Sequence, residues 1–255
     1  MTFSYISHQL KAKKRHGVHS PFVYNLSEEV LYSKGAKRAS EIEKLRQRLS
    51  TDPREVELID LGAGSRVNSG NLRSVSEMVK TSSTPIQVAQ MLQRLVIHSG
   101  HTHLLEVGTN LGLTSAYLAA SSDNAKFIGL EGDPFLASEA VKNLKSLGLN
   151  GKILQGPFSE TLDLAIDDLA QIDFAYIDGN HQYKPTIEYF KKISQVINSK
   201  SVIAVGDIHW SMEMTEAWEE IKEDSNVSLT IDLFHLGLVF FQTGRHGREH
   251  FRLKL

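Results

Sequence analysis

Residues 104–119, LLEVGTNLGLTSAYLA, read as an apolar strand that ends in Glu106-x-Gly108-x-x-x-Gly112 and turns directly into a helical pattern. Glycines at such a turn let backbone N–H groups approach a ligand closely, and the following helix start adds unpaired donors and a partial positive charge. The spacing decides which ligand. A dinucleotide turn needs Gly-x-Gly-x-x-Gly so that a pyrophosphate can sit on the helix end. Here Gly108 is followed by Thr109, Asn110 and Leu111, so no second glycine makes that room. Glu106 at the strand end repels a phosphate but suits the ammonium of an amino-acid-like ligand, held directly or through water. The turn therefore points to S-adenosylmethionine rather than to NAD.

A second signal follows. Residues 126–130, KFIGL, form a short apolar strand that closes on Glu131-Gly132-Asp133-Pro134. In doubly wound α/β folds an acid closing the second strand takes the ribose hydroxyls, roughly twenty residues beyond the glycine turn. Glu131 lies at that separation from Gly108. Glu106 and Glu131 are thus expected to grip opposite ends of one nucleoside-type cofactor. A competing motif stands earlier, at residues 56–65, VELIDLGAGS. No second strand closed by an acid follows it, because residues 72–80 are helical in period and lead into a further helix. It is read as a structural turn or as a loop lining the pocket, not as the cofactor turn.

Helix and strand signals alternate from about residue 55 to the end, the pattern of an α/β fold with a parallel sheet. The expected architecture is a doubly wound, Rossmann-like, mostly parallel seven-stranded sheet whose last strand is antiparallel, preceded by an N-terminal helical segment. Residues 1–83 read as that helical or lid segment with an extra strand-loop, and residues 84–255 as the cofactor-binding core. Ser20-Pro21 opens one helix, a charged helix spans residues 38–49, and Thr84-Pro85 reads as an N-cap with proline at the first helical position. With 255 residues, 41% of them hydrophobic, the chain can bury one substantial core. A net charge of −2 argues against a large nucleic-acid footprint. The chain has no cysteine, which excludes disulfides and thiolate metal sites and fits a reducing compartment. No signal-peptide run and no eighteen-residue apolar stretch are present. A cytoplasmic protein acting on a small molecule, without nucleic-acid or membrane partners, is expected; the sequence leaves open whether it forms a homodimer.

Chemistry is expected at two further strand ends, Tyr176-Ile177-Asp178-Gly179-Asn180-His181 and Val205-Gly206-Asp207-Ile208-His209-Trp210. Ligands in open α/β sheets gather beyond the carboxyl ends of the strands, so both clusters are expected to overhang the crevice that holds Glu106 and Glu131. Asp178, His181 and Asp207 are the catalytic candidates, with His209 beside them. They can serve as a general base for a substrate hydroxyl or as oxygen and imidazole ligands of a hard divalent cation such as Mg. The plain alternative is that the aspartates cap the next helices and the histidines bond to loops.

At these residues the chain resembles the class I S-adenosylmethionine-dependent methyltransferases, and among them the catechol O-methyltransferase-like group. LLEVGTNLGLTSAYLA is similar to the first cofactor motif of that family, FIGLEGDP to the ribose-binding second, QGPFSETL to the adenine-side loop, and FAYIDGNHQY to the fourth-strand motif. The resemblance implies that Glu106, Gly108, Thr109, Asn110, Gly112 and Thr114 surround the methionine part of the cofactor. It implies that Glu131 holds the ribose and that Phe158 and Ser159 flank the adenine; Gly132 and Asp178 are further cofactor-binding candidates. HGVHSPFVY at residues 16–24 and DIHWSMEMTEAW at 207–218 resemble a bacterial branch that brings no substrate with it. The implied activity is methylation of a small-molecule acceptor, most simply at oxygen. The rivals are a non-catalytic nucleoside-binding protein of the same fold, or the same chemistry on RNA.

Metal is where the chain departs from the family. Metal-dependent members use the fourth-strand Asp and an Asp-Asn or Asp-Asp pair after the fifth strand, whereas this pair reads Gly206-Asp207. Asp178 and Asp207 remain as candidate ligands, and a full set would need His181 or His209. Two basic clusters complete the reading: Lys11, Lys13, Lys14, Arg15, His16 and His19 at one end, and Arg245, His246, Arg248, His250, Arg252 and Lys254 at the other. Each reads as a solvated face, the first also as a lid that would select an acidic acceptor.

Overall fold

The computed structural model describes residues 5, 8–10, 12–13, 19–59, 72–243 and 247–254. Two compact units divide the chain: Lys34–Ala170, and Met1–Ser33 together with Gln171–Leu255. In each unit the sheet strands are flanked by helices and mostly parallel.

The unit Lys34–Ala170 holds α2 (Ala39–Leu49), β1 (Glu55–Glu57), β2 (Leu72–Ser74), α3 (Val75–Thr81), α4 (Ile86–Ser99), β3 (His103–Val107), α5 (Leu113–Ala119), β4 (Lys126–Glu131), α6 (Pro134–Ser146), β5 (Lys152–Gln155) and α7 (Phe158–Leu169). The sheet strands here are parallel in the order β3-β4-β5, with Glu106 level with Gly129 and Leu130 level with Leu154. Each β4 residue from Phe127 on is buried, as expected of a parallel strand covered on both faces. The N-terminal helices matter because of what they support. Leu45 and Leu49 of α2, and Val75, Met78 and Val79 of α3, pack with Leu111 and Leu113 of the glycine turn and Leu136 of α6. At about 1.5–3 kcal/mol per fully buried side chain, this cluster fixes the turn from behind.

Two local expectations change. Residues 72–74 do not begin a helix; they pair antiparallel with Glu55–Glu57, and the helix starts only after Ser74, whose hydroxyl accepts Glu77 N at 3.2 Å. The apolar period continued through the strand, and the serine cap set the boundary. Pro85 is the N-cap of α4 rather than its first residue, since its carbonyl accepts Val88 N and Ala89 N, both at 3.0 Å. The Gly-Ala-Gly-Ser stretch at 62–65 lies outside the described residues.

The other unit holds α1 (Pro21–Leu26), which runs on as a π-helical turn over Ser27–Leu31, then β6 (Phe174–Ile177), α8 (Tyr183–Ile193), β7 (Val202–Gly206), α9 (Met212–Glu223), β8 (Leu229–Asp232), β9 (Leu236–Phe240) and β10 (Glu249–Arg252). Its strand order is β10-β8-β9-β7-β6. Strand β9 runs antiparallel to both β7 and β8, the expected reversal. The eighth strand, β10, is an addition to the seven expected: it pairs parallel with β8, Arg252 level with Asp232. In the tight β8–β9 hairpin Gly237 is forced, because a Cβ there would stand 2.5 Å from the Trp218 ring.

Candidate cofactor and acceptor sites

The glycine turn after β3 is built by hydrogen bonds to β4. Gly108 N and Thr109 N both donate to Leu130 O at 3.0 Å, and the Thr109 hydroxyl adds a third donor at 3.1 Å. Room for that hydroxyl comes from Gly129, where a Cβ would lie 2.5 Å from it. Gly108 has φ 95°, so a residue without a Cβ is required there. Gly112 caps α5 at φ 77°, and a Cβ on it would meet the Ala140 backbone at 3.0 Å, so it also permits the close approach of α6. Asn110, itself at φ 52°, spends its side chain inside the loop: Oδ1 accepts Leu111 N at 2.7 Å and Nδ2 donates to Ser82 O at 3.0 Å. The side chains of Thr109 and Asn110 therefore build the turn, and what they present outward is backbone. Thr114 is buried in the first turn of α5.

Glu131 closes β4 and is 8% exposed. Its carboxylate accepts Asn110 N at 2.6 Å and Asp133 N at 3.0 Å, which joins the glycine turn to the acid turn. Burial pushes its pKa above the ordinary glutamate value, while the backbone N–H groups of Asp133, Asn110 and Gly132 pull the other way. Glu106, level with Gly129, lies on the same sheet face as Glu131, two residues further along β4. Glu106 is 1% exposed and accepts the Ser115 hydroxyl from α5. The adenine-side loop is fastened to the same turn: Gly156 N donates to Glu131 O at 3.0 Å and Gln155 Nε2 to Gly132 O at 3.1 Å. That leaves Phe158 half-buried and Ser159 exposed at the start of α7. Asp133, Ser115 and Gly129 were not singled out from sequence; Asp133, as the residue before a helix-opening proline, carried a capping signal.

These residues fit a nucleoside cofactor. A buried carboxylate aimed by backbone donors keeps lone pairs for a diol, beside a turn that offers backbone rather than bulk.

In the other unit the β6 and β7 ends carry the expected residues on strained backbone. Asn180, His181 and Asp207 adopt φ 73°, 44° and 52°, the left-handed region that costs non-glycine residues energy and that clusters at functional sites. Asp207 is held so by its N–H on His235 O at 2.7 Å and its carbonyl on Trp210 N at 2.8 Å. At Gly206 a Cβ would stand 2.0 Å from Asp178 Oδ1. The Asp178 carboxylate thus fills the space that the missing metal-ligand side chain would need. Among the described residues no three His, Asp or Glu side chains gather as a metal site. His209 is committed elsewhere, its Nε2 lying 3.0 Å from Asp232 Oδ2.

Asp232, which closes β8, is the acid that sequence reading missed. It is 5% exposed and receives Phe234 N at 2.9 Å, Arg252 Nε at 3.2 Å, and the Nε2 atoms of His209 and His8, each at 3.0 Å. Burial alone would raise its pKa, but the His209 hydrogen bond, the Phe234 N–H and the two imidazoles bring it down to about 2. Burial lowers the His8 pKa against the pull of Asp232, and His8 Nδ1 is buried without a hydrogen-bond partner among the described residues. Phe234, at φ 74°, sets its ring 5.3 Å from His8 and 5.4 Å from His209. The signal was present as an acid at a strand end in Thr230-Ile231-Asp232-Leu233, of the same form as Glu131. A cavity of about 550 Å³ in this unit, lined by Asn198, Ser225, Ser228 and Arg248, lies at the amino ends of β7 and β8 and contains none of the expected site residues.

Comparison with known proteins agrees with this geometry. Residues 105–208 match the model of a methyltransferase domain. A stretch of 114 residues is 34% identical to cyclosporin synthetase from Tolypocladium inflatum; it covers 42% of this chain but spans only 1% of that enzyme's length. Among solved structures, a methyltransferase from Podospora anserina with S-adenosylhomocysteine bound superposes with a TM-score of 0.60 at 12% identity, over 87% of this chain and 94% of that one. The O-methyltransferase of Bacillus cereus, also with S-adenosylhomocysteine, gives 0.54 at 18% identity over 86% and 96%. The O-methyltransferase TomG of Streptomyces achromogenes, solved with S-adenosylmethionine, gives 0.56 at 16% over 86% and 94%. Residues 105–208 thus match a methyltransferase domain, and the chain shares the fold of these solved methyltransferases.

Proposed function

We propose that the protein transfers a methyl group from S-adenosylmethionine to a small-molecule acceptor, at oxygen. The observation that carries this reading is Glu131: a buried acid closing β4, aimed by the Asn110 and Asp133 N–H groups, beside the turn at Gly108–Gly112. In this reading Glu131 and Gly132 take the ribose, the Gly108–Gly112 turn and Glu106 take the methionine part, and Phe158 and Ser159 border the adenine. The cofactor, when bound, supplies an activated methyl on a sulfonium, so the protein's task is to align the acceptor and remove its proton. Asp178, His181 and Asp207 are the groups we assign to that task. Backbone strain at His181 and Asp207 supports it, since such strain is kept where a side chain must be held in one direction. The net charge of −2 favours a small acceptor over nucleic acid, and the lack of cysteine suits a cytoplasmic setting. No described helix is long and apolar enough to cross a membrane.

Titration calorimetry tests the assignment. S-adenosylhomocysteine should bind, and Glu131→Ala should weaken binding by roughly 1–3 kcal/mol, the loss of hydrogen bonds to a charged group. Equal affinity in the variant would remove the ribose assignment.

A further inference from the structure

Glu131 depends on a residue to which the cofactor motifs give no role. Asp133 is 4% exposed and caps α6, its Oδ1 accepting Leu136 N at 2.9 Å while its own N–H donates to Glu131 Oε1 at 3.0 Å. Its other oxygen, Oδ2, accepts Ile59 N at 2.8 Å. Ile59 lies just past β1, seventy-four residues away in sequence. The same segment is fastened to α6 twice more. Arg54 Nη2 lies 2.8 Å from Glu139 Oε2, and its guanidinium stands 5.8 Å above the Phe135 ring. Leu58 and Phe135 both pack on the cluster that backs the glycine turn.

We propose that Asp133 is the positioning residue of the ribose acid, and that through it nucleoside binding is coupled to the segment ending at Ile59. The inference rests on Glu131 being that acid. Two backbone N–H groups set the carboxylate's direction, and the one from Asp133 points correctly only while Asp133 keeps its cap conformation, φ −79° and ψ 127°. Oδ1 holds that conformation from the α6 side, and Oδ2 holds it from the β1 side. With both oxygens engaged, the side chain cannot turn about χ1 without breaking one bond. A ligand drawing on Glu131 therefore stiffens Asp133, and the Ile59 N–H is the far end of that link. The hairpin strand β1, which carries none of the residues assigned to the cofactor, becomes part of the cofactor site's support.

Hydrogen exchange on the whole chain, with and without S-adenosylhomocysteine, reads the coupling directly, and titration calorimetry reads its strength. In the unaltered protein the ligand should slow exchange of the Ile59 amide. Asp133→Ser keeps a capping oxygen but has no second one for Ile59; it should bind S-adenosylhomocysteine roughly five- to tenfold more weakly, the worth of one hydrogen bond, and the ligand should no longer protect Ile59. Ile59→Pro removes the donor from the other side without touching the acid turn, and should weaken binding to the same degree. Unchanged exchange at Ile59 on binding, or either variant binding like the unaltered chain, overturns the proposal. Failure of the unaltered chain to bind S-adenosylhomocysteine would instead overturn the cofactor reading beneath it.

Discussion

Strands β4 and β8 both close on a buried acid, Glu131 at 8% exposure and Asp232 at 5%, yet the two carboxyls are pushed in opposite directions. The Glu131 carboxylate is met by backbone N–H groups from its own turn and the glycine turn, so burial dominates and its pKa rises. Imidazoles from His209 and His8, with the Arg252 guanidinium, surround Asp232, and its pKa falls to about 2. Neutral dipoles hold a carboxylate in place while leaving it able to respond to a ligand. Side-chain donors closing in from several elements, one of them a guanidinium, satisfy it outright. The first arrangement is that of a binding group and the second that of a fastening, tying residues of the N-terminal segment, the loop after β7 and strand β10 to one point.

The largest effect expected from this contrast is at the fastening. Asp232→Ala leaves the Arg252 charge and two imidazoles without their acceptor, and breaking such a buried pair costs about 3–5 kcal/mol. Urea unfolding should show a loss of that size. A loss under about 1 kcal/mol, the range of an exposed ion pair, would mean that the cluster is decorative and that the two acids do not differ in kind.

Glycines sharpen the comparison next. Gly129→Ala would place a Cβ 2.5 Å from the Thr109 hydroxyl and 2.9 Å from Ile153 Cδ1, pushing the glycine turn off Leu130. Overpacking of this sort costs about 3 kcal/mol at the upper end of its range, and S-adenosylhomocysteine binding should be lost with it. Gly206→Ala meets only the movable end of Asp178 at 2.0 Å and the Tyr176 hydroxyl at 3.3 Å. It should leave cofactor affinity intact while destabilising less. Calorimetry on the pair decides whether the glycine turn, and not glycine as such, carries the binding.

How legible each region was follows from how local its bonds are. Glu131 lies 21 residues from its donor Asn110 and two from its donor Asp133, and the strand-turn-helix pattern around them can be read directly. The Asp232 cluster draws on His8, 224 residues away, and on Arg252 from a short strand of only four residues, so neither hydropathy period nor motif brings them together. Within the turn after β3 the sequence does not reveal which way the side chains face. Thr109 and Asn110 turn their polar atoms inward to Leu130, Leu111 and Ser82, because the turn's backbone groups need partners before any ligand does. Gly206 was read as a missing ligand. Only the coordinates reveal that Asp178 already occupies the space beside it.

The smallest effect expected is on acid, and it separates the two carboxyls by sign. A carboxyl whose pKa falls on folding contributes stability that is complete above its unfolded value and is lost as pH drops through the folded one. For Asp232 the fall is from 3.8 to about 2, worth roughly 2 kcal/mol at about 1.4 kcal/mol per unit. Stability measured by urea should therefore decline between about pH 4 and pH 2 by that amount, and Asp232→Asn should remove that part of the decline. Glu131 runs the other way: its raised pKa means that ionisation costs stability, so its contribution is fullest below the unfolded glutamate value and shrinks as pH rises through the folded one. Ribose hydroxyls, however, donate to the ionised form. S-adenosylhomocysteine affinity should then weaken as pH falls through the raised pKa of Glu131, at a pH where the Asp232 fastening is still whole. If binding and stability instead decline together along one curve, the two strand ends are not independent, and the contrast drawn between a responsive acid and a satisfied one fails.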